Sequence, residues 1–238
     1  MSNDHRIERP ETWVFVDERI EHRDTSYRLV VGCLVVAASR WKGSSRMARQ
    51  IGAIRGSRRL DLIAELLEQA GGFALLSFAD LSTDLFTAQE TDSTDDIPRM
   101  ARRDNAWSQA VLAAVAAVLA CLQSAGVNHA SIDVYLDPKS LTAAHREAFE
   151  RILRETLPDI AREAARVGIP SPTFTIGKVR EVEKRRGKNA ATTLQFGSAL
   201  VHHLCSRTSD VIAGSPPRII VRDHTSALVT MISKFTRR

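Results

Sequence analysis

Two acids stand where an apolar strand stops: Trp13-Val14-Phe15-Val16 runs into Asp17-Glu18. Far down the chain, Ile132-Asp133-Val134-Tyr135-Leu136 runs into Asp137-Pro138. Carboxylates at the ends of buried strands suit a metal ion or a polar ligand, because a rigid sheet can hold them to the tolerance that coordination requires. Asp17 and Asp137 are therefore the leading catalytic and metal-binding candidates. Glu18 is the third acid, but strand alternation puts Asp17 and Glu18 on opposite sides, so only one of them serves a given site. Asp133 shares a side with Asp137, yet it lies about 13 Å back along the strand. His202 follows Ser198 by one helical turn on the same face and is a further candidate ligand. The competing roles are ordinary ones: a strand-end acid capping a turn, a helix cap, a helical histidine that packs.

The chain has 238 residues, a formal charge of +5 and 44% hydrophobic but only 5% aromatic residues. The core must be aliphatic, and the charge favours an anionic partner. From Arg40 to Leu60 the chain carries Arg40, Lys42, Arg46, Arg49, Arg55, Arg58 and Arg59 with no acid among them. A second basic run contains Lys184, Arg185, Arg186 and Lys188. Both could contact phosphates, or could simply be solvated. Cys33, Cys121 and Cys205 lack metal-ligand spacing and read as reduced thiols of a cytoplasmic protein. The N-terminus shows no signal peptide pattern, and the apolar run Ala110–Leu122 is too short to span a bilayer. No phosphate-binding glycine loop or nucleophile elbow is present.

The elements that must position these residues follow from periodicity. Strands are expected over Trp13–Asp17, Tyr27–Ala38, Phe73–Leu81, Ser131–Asp137 and Thr173–Val179, with a polar turn over Arg19–Ser26. Helices are expected over Arg58–Gln69, Asn105–Ser124, Leu141–Val167 and Ala190–Ser206, and a short strand over Arg218–Arg222. The acidic stretch Gln89–Asp96 lacks apolar residues and reads as a loop. Residues 1–12 form a polar arm, 13–207 one domain, and 208–238 an extension packed on it. Three leading strands followed by alternating helix and strand give an α/β layered fold. That order fits the ribonuclease-H-like fold, a mixed five-stranded sheet with flanking helices in which the first and fourth strands are parallel neighbours.

On these residues the chain resembles a bacterial family of uncharacterised ribonuclease-H-like proteins, a domain-of-unknown-function family found on phages and mobile elements. That family opens with Asp-Glu-Ser-Gly, matched here by Asp17-Glu18 followed by Arg19-Ile20. It closes with Leu-Gln-x-Ala-Asp, matched by Leu194-Gln195-Phe196-Gly197-Ser198, so Ser198 stands where the family has an acid. Its Glu-x-Lys element corresponds to Ala53-Ile54-Arg55, which lacks the acid. The resemblance implies a nucleic-acid-associated protein, either a Mg²⁺- or Mn²⁺-dependent nuclease with an incomplete carboxylate site or a non-catalytic module that binds nucleic acid or a protein partner. Two-metal phosphodiester hydrolysis generally draws on several carboxylates around ions about 3.5–4 Å apart.

Overall fold

The computed structural model describes residues 11–41, 58–82, 97–127, 129–136, 147, 150–151, 154–155, 173–182, 193–214, 216–226 and 229. At 58–59, 97–109, 129, 173 and 193 it describes the backbone alone. The strands are β1 (Glu11–His22), β2 (Ser26–Ala37), β3 (Phe73–Ser82), β4 (His129–Leu136), β5 (Thr173–Glu181) and β6 (Ile219–Asp223). The helices are α1 (Arg58–Gln69), α2 (Ile97–Ser124), α3 (Thr193–Ser206) and α4 (Thr208–Ala213).

The sheet order is β5-β4-β1-β2-β3-β6. β1 pairs antiparallel with β2 and parallel with β4, and β5 continues parallel to β4. This is the ribonuclease-H-like arrangement, with the first and fourth strands adjacent as expected. Two details differ from what the sequence suggests. The short strand expected over Arg218–Arg222 forms as β6, but it joins the sheet as a sixth strand beyond the expected five, parallel to β3 with Ala74 opposite Ile219. The expected turn over Arg19–Ser26 is also much shorter. β1 continues to His22, opposite Tyr27, and the reversal is closed by Arg23 and Ser26 bonding each other's backbone. Arg19 and Glu21 are polar, but their partners Val30 and Arg28 extend the ladder, so pairing overrides composition there.

Alternation sorts the core into two layers. Even positions of β1 and odd positions of β2 (Val14, Val16, Val31, Val35) pack with Val111, Val115 and Val118 of α2. Odd positions of β1 and even positions of β2 (Trp13, Phe15, Val30, Leu34) pack with Leu60, Ile63 and Leu67 of α1 and with Val201 and Leu204 of α3. Trp13, Phe15, Tyr135 and Trp41 form an aromatic row on that second face, with Phe15 stacked on Tyr135 at 5.3 Å between centroids. Aromatics are few in the chain, and here they fill the floor beneath α3. Gly71, at a positive φ of 62°, ends α1 and turns the chain into β3.

Candidate functional site

Asp17 lies one residue beyond the last parallel rung of β1 and β4, where Val16 faces Leu136. Its residue is 1% exposed. It belongs to the α3 side of the sheet, and α3 is what completes its surroundings. His202 Nδ1 lies 2.7 Å from Asp17 Oδ2. An ionised carboxylate only accepts, so the imidazole Nδ1–H donates. The Glu18 backbone N–H donates to Asp17 Oδ1 at 2.9 Å, and the Cys205 thiol to the Asp17 carbonyl at 3.5 Å. The His202 side chain is 71% exposed. A buried acid thus orients a mostly exposed imidazole whose Nε2 is the ring's far nitrogen.

The seating of α3 depends on two positions without side chains. A Cβ on Gly197 would stand 2.5 Å from the Phe15 ring. A Cβ on Gly32, the β2 partner of Asp17, would stand 2.7 Å from Cys205 Sγ and 2.9 Å from Val201 Cγ2. Real Cβ atoms do not tolerate such distances, so both glycines allow the close approach of helix to sheet. That approach brings His202 down onto Asp17.

Asp133 has a different role. It is 5% exposed, and its Oδ1 accepts the Lys178 backbone N–H at 2.8 Å. There β5 carries a bulge: Ile132 faces Ile176 and Val134 faces Val179, so Gly177 and Lys178 oppose Asp133 alone. Arg154 holds the other side of the bulge, donating to the carbonyls of Ile176 at 2.8 Å and Gly177 at 3.1 Å. Burial first, then the Asp133 charge, push the Tyr135 hydroxyl up to about 12.

Of the expected site residues, the structure brings Asp17 and His202 together, with Glu18 contributing its backbone. Ser198, a turn before His202, is buried in α3. Asp137 follows β4 directly but lies outside the described residues, as do Lys42, Arg46, Arg49, Arg55, Lys184, Arg185, Arg186, Lys188 and the arm 1–10. The side chains of Arg58 and Arg59 are likewise not described. Arg40 is described, and it does not share an edge with Asp17. β2 runs antiparallel to β1, so the chain leaves β2 at the Thr12 end, where Arg40 lies against Gly71. Arg40, the first residue of the acid-free basic stretch, therefore lies at the other end of the sheet from Asp17. The arginines that do lie near this edge belong to the β1–β2 hairpin, which charge runs do not single out. Arg19 is two residues past Asp17 on its face, and Arg19 and Arg23 have half-exposed side chains in loose ion pairs, 3.7 Å to Glu21 and 3.9 Å to Asp80. Alternation finds Arg19 only if the strand is carried past Glu18.

A hard divalent cation prefers an all-oxygen shell. Here Asp17 and His202 touch each other directly, and among the described residues no group of three or more His, Cys, Asp or Glu is placed to hold a metal. The described donors as they stand do not fit Mg²⁺.

No family model and no curated protein matches this sequence. Among solved structures, the chain is similar to the ribonuclease H2 of Pyrococcus horikoshii, with a TM-score of 0.42 and 10% identity over 87% of this chain and 80% of that one. It is also similar to a mutant of Bst-RNase HIII, with a TM-score of 0.31 and 11% identity over 85% of this chain and 56% of that one. No helix among the described residues is long and apolar enough to cross a membrane.

Proposed function

We propose that this chain is a nucleic-acid-associated protein of ribonuclease-H-like fold whose working centre is the Asp17–His202 pair. The observation that carries the reading is the pairing of an acid 1% exposed with an imidazole 71% exposed, at the sheet edge where β4 ends. A structural carboxylate is normally satisfied by backbone or buried partners, as Asp133 is. Asp17, besides accepting the Glu18 backbone N–H, holds a side chain that solvent and ligands can reach. Arg19 lies two residues past Asp17 on its face, Arg23 stands at the turn of the same hairpin, and the net charge of +5 favours a polyanion.

Two forms of this reading stand. In one, Asp137 joins Asp17, and the site hydrolyses phosphodiesters with Mg²⁺ or Mn²⁺; the acid retained at Asp17 of β1 favours it. In the other, the chain is a non-catalytic module that binds nucleic acid or a protein partner; the direct Asp17–His202 contact favours that one. Fluorescence anisotropy with single-stranded DNA, duplex DNA, RNA and RNA–DNA hybrid over a salt series tests the common claim. Affinity should fall steeply with salt through counterion release. Arg19→Glu and Arg23→Glu should each weaken binding and lower the salt slope by about one. Absent or salt-independent binding overturns the nucleic-acid association and leaves only the module that binds a protein partner. Cleavage that appears with Mg²⁺ or Mn²⁺ and disappears in Asp17→Asn selects the hydrolytic form, and its absence selects the module.

A further inference from the structure

The disagreement between the Asp17 surroundings and a cation site leads to one step more. We infer that His202 is the resident occupant of the position a cation would take at Asp17, a competitor of metal rather than a ligand to it. The inference concerns the same site as the proposed function, and it is tested on the free protein so that the two can fail separately.

Three observations carry it. First, Asp17 Oδ2 is in direct contact with His202 Nδ1 at 2.7 Å, which is a hydrogen bond with no room for an ion between the two atoms. A carboxylate buried from water needs a strong donor or a cation, and a charge-assisted N–H is such a donor. Second, the backbone that carries the imidazole has no slack. Gly197 lies against the Phe15 ring and Gly32 against Cys205 and Val201, so α3 is fixed in height over β1 and β2. An ion cannot be admitted by lifting the helix without opening this packing. Third, the His202 side chain is 71% exposed, so the ring can leave Asp17 by rotating into solvent. The geometry is therefore that of a latch. The helix is fixed, the side chain is free to swing, and Asp17 becomes available to an ion when the ring departs. If the nitrogen facing Asp17 were a metal ligand, it would be turned toward the ion rather than used up on the carboxylate. Nδ1 therefore competes with an ion for Asp17 and does not share one with it.

Isothermal titration calorimetry of the full chain with MnCl₂, without nucleic acid, decides between competitor and ligand. His202→Ala should bind Mn²⁺ about tenfold more tightly than the native chain, on the scale of one charge-assisted hydrogen bond. His202→Asp, which adds a carboxylate, should bind more tightly still. Weaker or equal binding by His202→Ala overturns the inference, because the imidazole would then be a ligand or a bystander. The absence of Mn²⁺ binding in all three proteins overturns it too, since something other than His202 would be keeping the ion away. Thermal melts without metal establish that the variants fold. If His202→Ala does not fold, the native chain still answers by NMR. Saturating Mg²⁺ should shift the His202 ring resonances toward those of a free imidazole, and unchanged resonances overturn the proposal.

Discussion

Asp17 and Asp133 are both buried acids on adjacent parallel strands, on the same side of the sheet. Trp13 pairs with Asp133, so the two carboxylates stand about four residues, or roughly 13 Å, apart along the strand direction. Exposure hardly distinguishes them, at 1% and 5%. Their partners do. Asp133 accepts a backbone N–H and pins a bulge, and its other neighbours are the buried Tyr135 and a glycine whose Cβ would collide with its Oδ1 at 2.3 Å. Asp17 accepts from an imidazole that faces solvent. A buried acid by itself therefore says little about function. An acid whose partner can be reached from outside the protein is the better candidate.

This contrast can be broken most forcefully by removing the close approach that creates the Asp17 site. Gly197→Val forces atoms into the Phe15 ring, and overpacking of this kind costs about 3 kcal/mol. For a chain of this size the melting temperature should fall by roughly 10 °C. The His202 NMR signals should lose the signature of the Asp17 contact. An unchanged melting temperature would show that α3 does not rest on Phe15.

Asp133→Ala comes next. It strands the Lys178 N–H in the bulge and should cost about 2 kcal/mol. Calorimetry should show a melting temperature roughly 5 °C lower. Nucleic-acid affinity should stay as it was. Ultraviolet titration of Asp133→Asn should find Tyr135 lower than in the native chain but still raised, because burial is the larger cause. If Asp133→Ala weakens binding as much as it weakens the fold, the division between structural and functional acid is wrong.

Asp17→Asn should cost less, within about 1 kcal/mol, since an amide keeps the shape and can still accept a hydrogen bond. It should nevertheless disturb the His202 ring resonances, which Asp133→Asn should leave unchanged. A large loss of stability would make Asp17 the structural acid of the two.

Asp80 sharpens the comparison at the weak end. It is held by both Arg28 Nε and Nη2 at 2.7 Å, and those bonds draw its carboxyl below the usual range despite partial burial. A carboxyl lowered in the folded state contributes stability above its unfolded value near 3.9, and that contribution is lost as pH falls through the lower folded value. Acid unfolding curves of Asp80→Asn should start slightly below native at neutral pH, be flatter than native in that window, and converge with the native curve below it. The pair is partly exposed, so its effect should be the smallest of the four.

Much of this arrangement is legible in the order of the amino acids. The apolar runs place β2, β3, β4, α1 and the start of β1 within a few residues, and the succession of elements implies that β1 and β4 are neighbours. Helical spacing puts His202 on the face of Ser198. The rest depends on contacts that spacing does not encode. The bulge at Gly177 arises from a carboxylate 44 positions earlier in the chain, Asp133. The extension of β1 through Arg19–His22 follows from its pairing with Tyr27–Val30 of β2, although local composition argues for a turn. Arg40 falls at the opposite end from Asp17 because a strand's direction decides where along the sheet the next segment emerges. Charge runs carry no such information.

The sixth strand bears on how the molecule comes into being. Ile219 pairs with Ala74, 145 positions earlier. A polypeptide emerging in order completes β1, β2 and β3 long before the partner for the outer side of β3 exists. Until then β3 carries unpaired backbone donors and acceptors along an apolar segment, Phe73-Ala74-Leu75-Leu76, which is a template for association with other chains. Final closure of the sheet therefore waits on translation of a distant segment, and a nascent chain stalled before Ile219 is the form most prone to aggregate.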